Sequence, residues 1–209
     1  MYQIFPSPKQ CTFYHNTLSC TSYGSVTTAP EIEESCRAAG FDPAPLLASV
    51  FPGGFSPEGI TLTAEYVSCA PEGFQLNIAP SGIRISCGDG AGFFYALGVL
   101  VQLAAQAGGT LPCAEIADEP VLSVRGIMLD IGRDKIPAME TLRRLIDLFA
   151  SMRINHLQMY MEGFSFDYED FHYLFTNETP MTPAEFRELS LYARAHFIDL
   201  VPNQNVLGH

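Results

Sequence analysis

Between residues 61 and 87, apolar and polar positions alternate with a period of two: TLTAEYV (61–67), FQLNIAP (74–80) and GIRISC (82–87). That period marks strands with one buried face. A Pro-Ser-Gly turn at 80–82 joins the second run to the third, so these two are predicted to pair as a hairpin. On either side the spacing lengthens to that of helices. EIEESCRAAG (31–40) follows Pro30 and closes on Gly40, and AGFFYALGVLVQLAAQA (91–107) lies between Asp89 as N-cap and Gly108-Gly109 as stop. Pro112 and the IADEP run at 116–120 predict a linker.

Beyond it the rhythm changes. VRGIMLDI (124–131) is nearly continuous in apolar residues. METLRRLIDLFASM (139–152) then carries Leu142, Leu145, Ile146, Phe149 and Met152 on one helical face. NHLQMYM (155–161) reads as a second strand. TPAEFRELSLYARAHF (182–197) opens a helix with Thr182 as N-cap, Pro183 at the first position and Glu185 closing a capping box. FIDLVPN (197–203) closes the series. Strand, helix, strand, helix, strand with buried-type strands predicts right-handed βαβ units and a parallel sheet. The chain therefore divides into a mixed α+β domain, 1–118, and a β/α region, 119–209.

In folds of this kind, polar chemistry gathers where the parallel strands end. The first end offers Asp130 and Arg133, the second Glu162 and the aromatic, acidic loop GFSFDYEDFHYLF (163–175), and the third Asn203, Gln204, Asn205 and then His209. The Arg133 guanidinium is suited to forking onto vicinal hydroxyls or a carboxylate, and equally to an ion pair with Asp134 or Asp130. Glu162 reads as a site carboxylate or a solvated loop residue. The loop aromatics Phe164, Phe166, Tyr168, Phe171, Tyr173 and Phe175 read as a sugar subsite or, better, as the loop's own small core.

Charge narrows the function. With 23 acidic against 11 basic residues the net charge is −12, which argues against nucleic acid or an anionic membrane as partner. The basic residues are lopsided: only Lys9, Arg37 and Arg84 precede residue 119. The six cysteines, at 11, 20, 36, 69, 87 and 113, form no CxxC pair and are expected to be small buried thiols, with no metal site and no cofactor. MYQIFPSPKQ lacks the basic start and apolar run of a signal peptide, so a cytoplasmic location is expected. The uncharged run 90–114 approaches membrane-spanning length. Its weakly polar stripe of Tyr95, Gly98, Gln102 and Gln106, with no flanking Lys or Arg, predicts a buried helix instead.

RGIMLDIGRDKIP before a helix, INHLQMYMEGFSF, and IDLVPNQNVLGH after a second helix together resemble glycoside hydrolase family 20, the β-N-acetylhexosaminidases. The first segment matches the family's opening barrel strand, an RG-x-x-LD-x-x-R pattern, and the last its third strand, ending in Gly-His. Upstream, NIAPSGIRISCGDGAGFFYALGVLVQL and LPCAEIADEPVLSVRG resemble the small α+β domain that precedes the barrel there. The likeness covers residues 60–209 well and the first 60 poorly. It implies an α+β domain followed by the first three strands of a (β/α)₈ TIM barrel. It also implies exo-hydrolysis of terminal N-acetylhexosamine from glycans or glycosides, by substrate-assisted retaining catalysis.

By the match, Arg133 grips sugar hydroxyls with Asp130, Glu162 and Asn205 beside it, and His209 belongs to the network behind the catalytic acid. The family commonly has Asp where this sequence reads Glu162-Gly163. Its Asp-Glu pair follows a fourth strand, which would fall after His209, and its pocket tryptophans also come later; these residues contain no Trp. The 209 residues alone are thus expected to be inactive and to self-associate through an open barrel edge. The alternatives are a non-catalytic carbohydrate- or protein-binding module, and a TIM-barrel glycosidase of other specificity.

Overall fold

The computed structural model describes residues 2–133, 135–163, 165–174 and 179–208. Two compact units divide the chain, Met1–Val121 and Leu122–His209.

The first unit is built on a six-stranded mixed sheet. Its strands are β1 (Gln10–Ser19), β2 (Tyr23–Thr28), β3 (Ile60–Tyr66), β4 (Phe74–Ala79), β5 (Gly82–Cys87) and β6 (Thr110–Asp118), in the spatial order β1-β6-β4-β5-β3-β2. The predicted hairpin of β4 and β5 is present and antiparallel, from Phe74 opposite Cys87 to Ala79 opposite Gly82. Gly82 takes φ 143°, and a Cβ there would meet the carbonyl oxygen of Thr61 at 2.7 Å, so the turn needs glycine twice over. The alternation sorts the faces. Phe74, Leu76, Ile78, Ile83, Ile85 and Leu62 are buried, while Gln75, Asn77 and Arg84 are exposed.

Three helices complete the unit: α1 (Pro30–Ala39), α2 (Ala44–Val50) and α3 (Gly90–Ala107). Helix α3 begins where Asp89 accepts from the Gly92 amide at 2.7 Å and stops at Gly108. By length and composition α3 could cross a membrane, yet Phe93, Tyr95, Leu97, Leu100 and Leu103 are buried within the unit, as a core helix requires. Its expected polar stripe has a specific occupant. Gln102 accepts from the Phe5 amide and donates to the Phe5 carbonyl, both at 2.8 Å, and Gln106 does the same to Gln3 at 2.9 and 2.7 Å. Tyr95, assigned to the same stripe, is instead buried.

The segment read as a linker is strand β6, between β1 and β4. Proline in an inner strand normally breaks a ladder bond. Here the pairing with β4 runs only from Asp118 to Ala114, so Pro112 lies beyond it, beside the irregularity between Phe13 and Thr17 of β1.

The second unit holds a parallel sheet of β7 (Gly126–Asp130), β8 (His156–Met161) and β9 (Asp199–Gln204), in that order. Helix α4 (Met139–Ser151) joins the first pair and α5 (Pro183–Ala195) the second, with the predicted capping box of Thr182 and Glu185 intact. Buried Leu142, Ile146 and Phe149 of α4 and Leu189 and Ala193 of α5 form the helical side of this core. Facing them are Leu157 and Met159, 1% and 0% exposed. The strands are not apolar on both faces, as a continuous run would make them. Their other face carries His156, Gln158, Tyr160 and Asn203, joined by bonds from Asn203 Nδ2 to Gln158 Oε1 (3.1 Å) and between Gln158 Nε2 and His156 Nε2 (3.2 Å).

Candidate functional site at the parallel strand ends

Parallel register brings three sequence-distant groups to one edge. Asp130 ends β7, Glu162 follows β8 and Asn205 follows β9, with Asp130 level with Tyr160 and Tyr160 level with Asn203. No loop flexibility separates them, because each sits within a residue of a paired strand.

Asp130 and Arg133 form one structure. Asp130 Oδ1 accepts from the Gly132 amide at 2.9 Å, and Oδ2 takes the Arg133 guanidinium through Nε and Nη2. The hydrogen bond from Arg133, and after it the Gly132 amide, hold the Asp130 carboxyl below the usual carboxylate range. Asp130 is therefore committed to bracing Arg133. The side chain of Arg133 is 62% exposed even so, with its Cζ 5.6 Å from the centroid of the Tyr160 ring. Asp134, the other predicted partner, lies outside the described residues, as do Phe164, Phe175 and His209.

Glu162 is not a solvated loop carboxylate. It is 9% exposed, and its Oε2 accepts from the Tyr160 hydroxyl at 2.6 Å. Its carbonyl accepts from Ser165 Oγ at 3.1 Å. A carboxylate this buried needs partners or neutralisation. Arg133 adds a favourable field, since Glu162 is among the charges that raise the arginine's pKa.

Asn205 follows β9 directly and is bonded to β8. Its Nδ2 donates to Tyr160 Oη (3.0 Å), its Oδ1 accepts from the Gly208 amide (3.1 Å), and its own amide bonds the Met161 carbonyl (2.8 Å). It clamps β9 to β8, with one Nδ2 hydrogen on Tyr160 and Oδ1 on the Gly208 amide.

Among the loop aromatics, Phe166 stacks edge-on with Tyr168 and with Phe186 of α5, at 5.0 and 5.9 Å, which is the small core expected. Tyr168 donates to Gln204 Oε1 at 2.6 Å, while Phe171 and Tyr173 stand exposed beyond it. The residue that sequence reading missed is Tyr160. Its signal was the strict alternation of His156, Gln158 and Tyr160 with Leu157, Met159 and Met161, which marks a polar face rather than a fully buried strand.

A second polar surface lies on the open face of the six-stranded sheet. It is a concavity of about 710 Å³ lined by Thr61, Thr63, Gln75, Asn77, Arg84 and Glu115 among others. Among the described residues no three His, Cys, Asp or Glu side chains gather as a metal site.

The chain resembles known proteins in sequence and in fold. The family model described as glycosyl hydrolase family 20, domain 2, matches residues 1–119. A beta-hexosaminidase of Akkermansia muciniphila is 28% identical over 158 residues, spanning 66% of this chain and 32% of its own length. One from Vibrio vulnificus is 23% identical over 237 aligned positions, spanning 99% and 28%. The chain thus spans about a third or less of these curated relatives. Among solved structures, Streptomyces plicatus N-acetyl-beta-hexosaminidase in complex with Thio-NAglucal superposes with a TM-score of 0.77 at 22% identity, covering 99% of this chain and 46% of that one. The beta-N-acetylhexosaminidase of Bacteroides fragilis gives 0.77 at 22%, covering 95% and 44%. At those identities the likeness is one of fold.

Proposed function

Since the chain belongs to glycosyl hydrolase family 20, we propose that it is the N-terminal portion of an exo-β-N-acetylhexosaminidase, an α+β domain leading into the first three strands of a (β/α)₈ barrel. In-register parallel pairing of β7, β8 and β9, with helices between them, supports the barrel reading.

One observation carries the sugar site: an exposed guanidinium, braced by Asp130, beside a buried carboxylate at the strand ends. Such a pair can donate to one hydroxyl of a terminal sugar and accept from its neighbour. In this reading Arg133 and Glu162 touch the N-acetylhexosamine, Asp130 aims Arg133, and His209 supports the acid from behind. The acid and the carboxylate that orients the acetamido group would follow a fourth strand. The substrate's acetamido oxygen would attack the anomeric carbon as the leaving oxygen takes the acid's proton. Water would then open the cyclic intermediate with retention. By themselves, residues 1–209 supply grip without chemistry, and no release of nitrophenol from an N-acetylglucosaminide is expected from them.

The test is Arg133→Lys in the enzyme that contains these residues. Lysine keeps the charge and loses the fork, so kcat/KM on an aryl N-acetylglucosaminide should fall about 100-fold with Tm nearly unchanged. Unchanged kinetics would end the assignment. A binding module remains the second reading, favoured by the polar concavity on the six-stranded sheet. It predicts that glycan binding fails with Asn77→Leu and survives Arg133→Lys.

A further inference from the structure

We propose that Tyr160 is a positioning residue of the strand-end site, setting Glu162 through its hydroxyl and Arg133 through its ring so that both address the same sugar. The inference rests on the sugar-site reading above and adds to it a residue that touches no substrate.

The hydrogen bonds around Tyr160 run in one direction. The Gly208 amide donates to Asn205 Oδ1 at 3.1 Å, which fixes which end of that side-chain amide is nitrogen. The nitrogen then donates to Tyr160 Oη at 3.0 Å. A phenol has one hydrogen, and with its oxygen accepting from Asn205 that hydrogen goes to Glu162 Oε2, 2.6 Å away. The chain can end only on an acceptor, so Glu162 is held as one, with a single oxygen engaged by Tyr160. Among the described residues no other side chain donates to that carboxylate, which leaves Oε1 for a hydroxyl of the ligand.

The ring does a second job. Arg133 has its Nε and Nη2 on Asp130, and its Cζ stands 5.6 Å from the Tyr160 centroid. Asp130 fixes one edge of the guanidinium and the ring fixes its height above the sheet. Tyr160 lies on the central strand, paired with Asp130 on one side and Asn203 on the other, so its backbone has little freedom to drift. One rigid side chain thus sets the spacing of the two groups proposed to hold the sugar, a separation that a loop could not keep.

A double-mutant cycle in the enzyme containing these residues tests this, with KM and kcat measured on an aryl N-acetylglucosaminide. Tyr160→Phe keeps the ring and removes the hydroxyl, and KM should rise about ten-fold, in line with loss of one hydrogen bond to a charged group. In the Glu162→Ala background the same change should leave KM within two-fold of Glu162→Ala alone, because the group it acts through is gone. Partial misfolding of Tyr160→Phe would lower kcat at constant KM, so KM remains the deciding readout. An unchanged KM for Tyr160→Phe, or an equal rise in both backgrounds, overturns the proposal. If Glu162→Ala has normal KM and kcat, the sugar-site reading falls and this inference with it; an impaired Glu162→Ala beside a normal Tyr160→Phe sinks the inference alone.

Discussion

Glu162 fills the space in which a side chain at Gly132 would stand: a Cβ built on Gly132 lies 2.7 Å from Glu162 Cγ and 2.7 Å from its backbone nitrogen. Such a contact cannot be relieved by a rotamer change, since half of it is main chain. Gly132→Ala should therefore push β7 and β8 apart at their ends and cost about 1–3 kcal/mol, the usual range for overpacking. Denaturant unfolding should show a lowered midpoint. Wild-type stability would mean that the two strand ends separate freely.

The thiols should differ sharply in reactivity. Burial, with the Asp89 charge adding to it, pushes Cys36 up to about 11 and Cys87 to about 12, and both side chains are buried. Cys11 and Cys69 are exposed. Alkylation near pH 8, followed by peptide mass mapping, should label Cys11 and Cys69 first and leave Cys36 and Cys87 unmodified until the protein unfolds. Early labelling of Cys87 would contradict the packing of β5 against α3.

A tyrosine on α5 should titrate late. Burial, then its hydrogen bond to Asp147 (2.6 Å), pushes the Tyr192 hydroxyl up to about 12 from an ordinary value of 10. Because the folded value is the higher one, whatever stability Tyr192 contributes is complete below pH 10 and fades as pH rises towards 12. Phenolate absorbance should show one group ionising near pH 12 that disappears in Tyr192→Phe, and that variant should lose less stability across the same window.

Thr182→Ala removes the cap of α5, where Thr182 Oγ1 accepts from the Glu185 amide and Glu185 Oε2 accepts from the Thr182 amide. A loss of about 1 kcal/mol is expected, with Thr182→Ser close to neutral. Equal stability of the alanine and serine variants would show that Pro183 suffices to start the helix.

What the sequence revealed follows how local each cause is. The box at Thr182 and Glu185, the stop at Gly108 and the turn before Gly82 are each decided within a few residues, and each was legible. Strand β1 was not, because nearly all of its residues are exposed, and a strand without a buried face has no period to read. Its conformation is imposed by β6, about a hundred residues away. Strand β6 was misread for the converse reason: Pro112 is a real signal, but the neighbour it would have disrupted stops at Ala114. At the site, Asp130 and Arg133 were visible as a strand end. That Gly132 makes room for Glu162, and that Asn205 holds Tyr160, depends on strand register, which no local pattern encodes. Register likewise puts Leu157 and Met159 under the helices and His156, Gln158, Tyr160 and Asn203 on the opposite face, beside the exposed Met128.

The two glutamines of α3 that hold Gln3 and Phe5 have a consequence of another kind. Every group they use on the N-terminal segment belongs to its main chain, so the clasp is blind to side-chain identity and excludes only proline at positions 3 and 5. It works because four residues of helix rise about 6.0 Å, a distance that two residues of chain can span. The alignment of the segment on the helix is therefore set by the spacing of Gln102 and Gln106, where its own side chains set nothing.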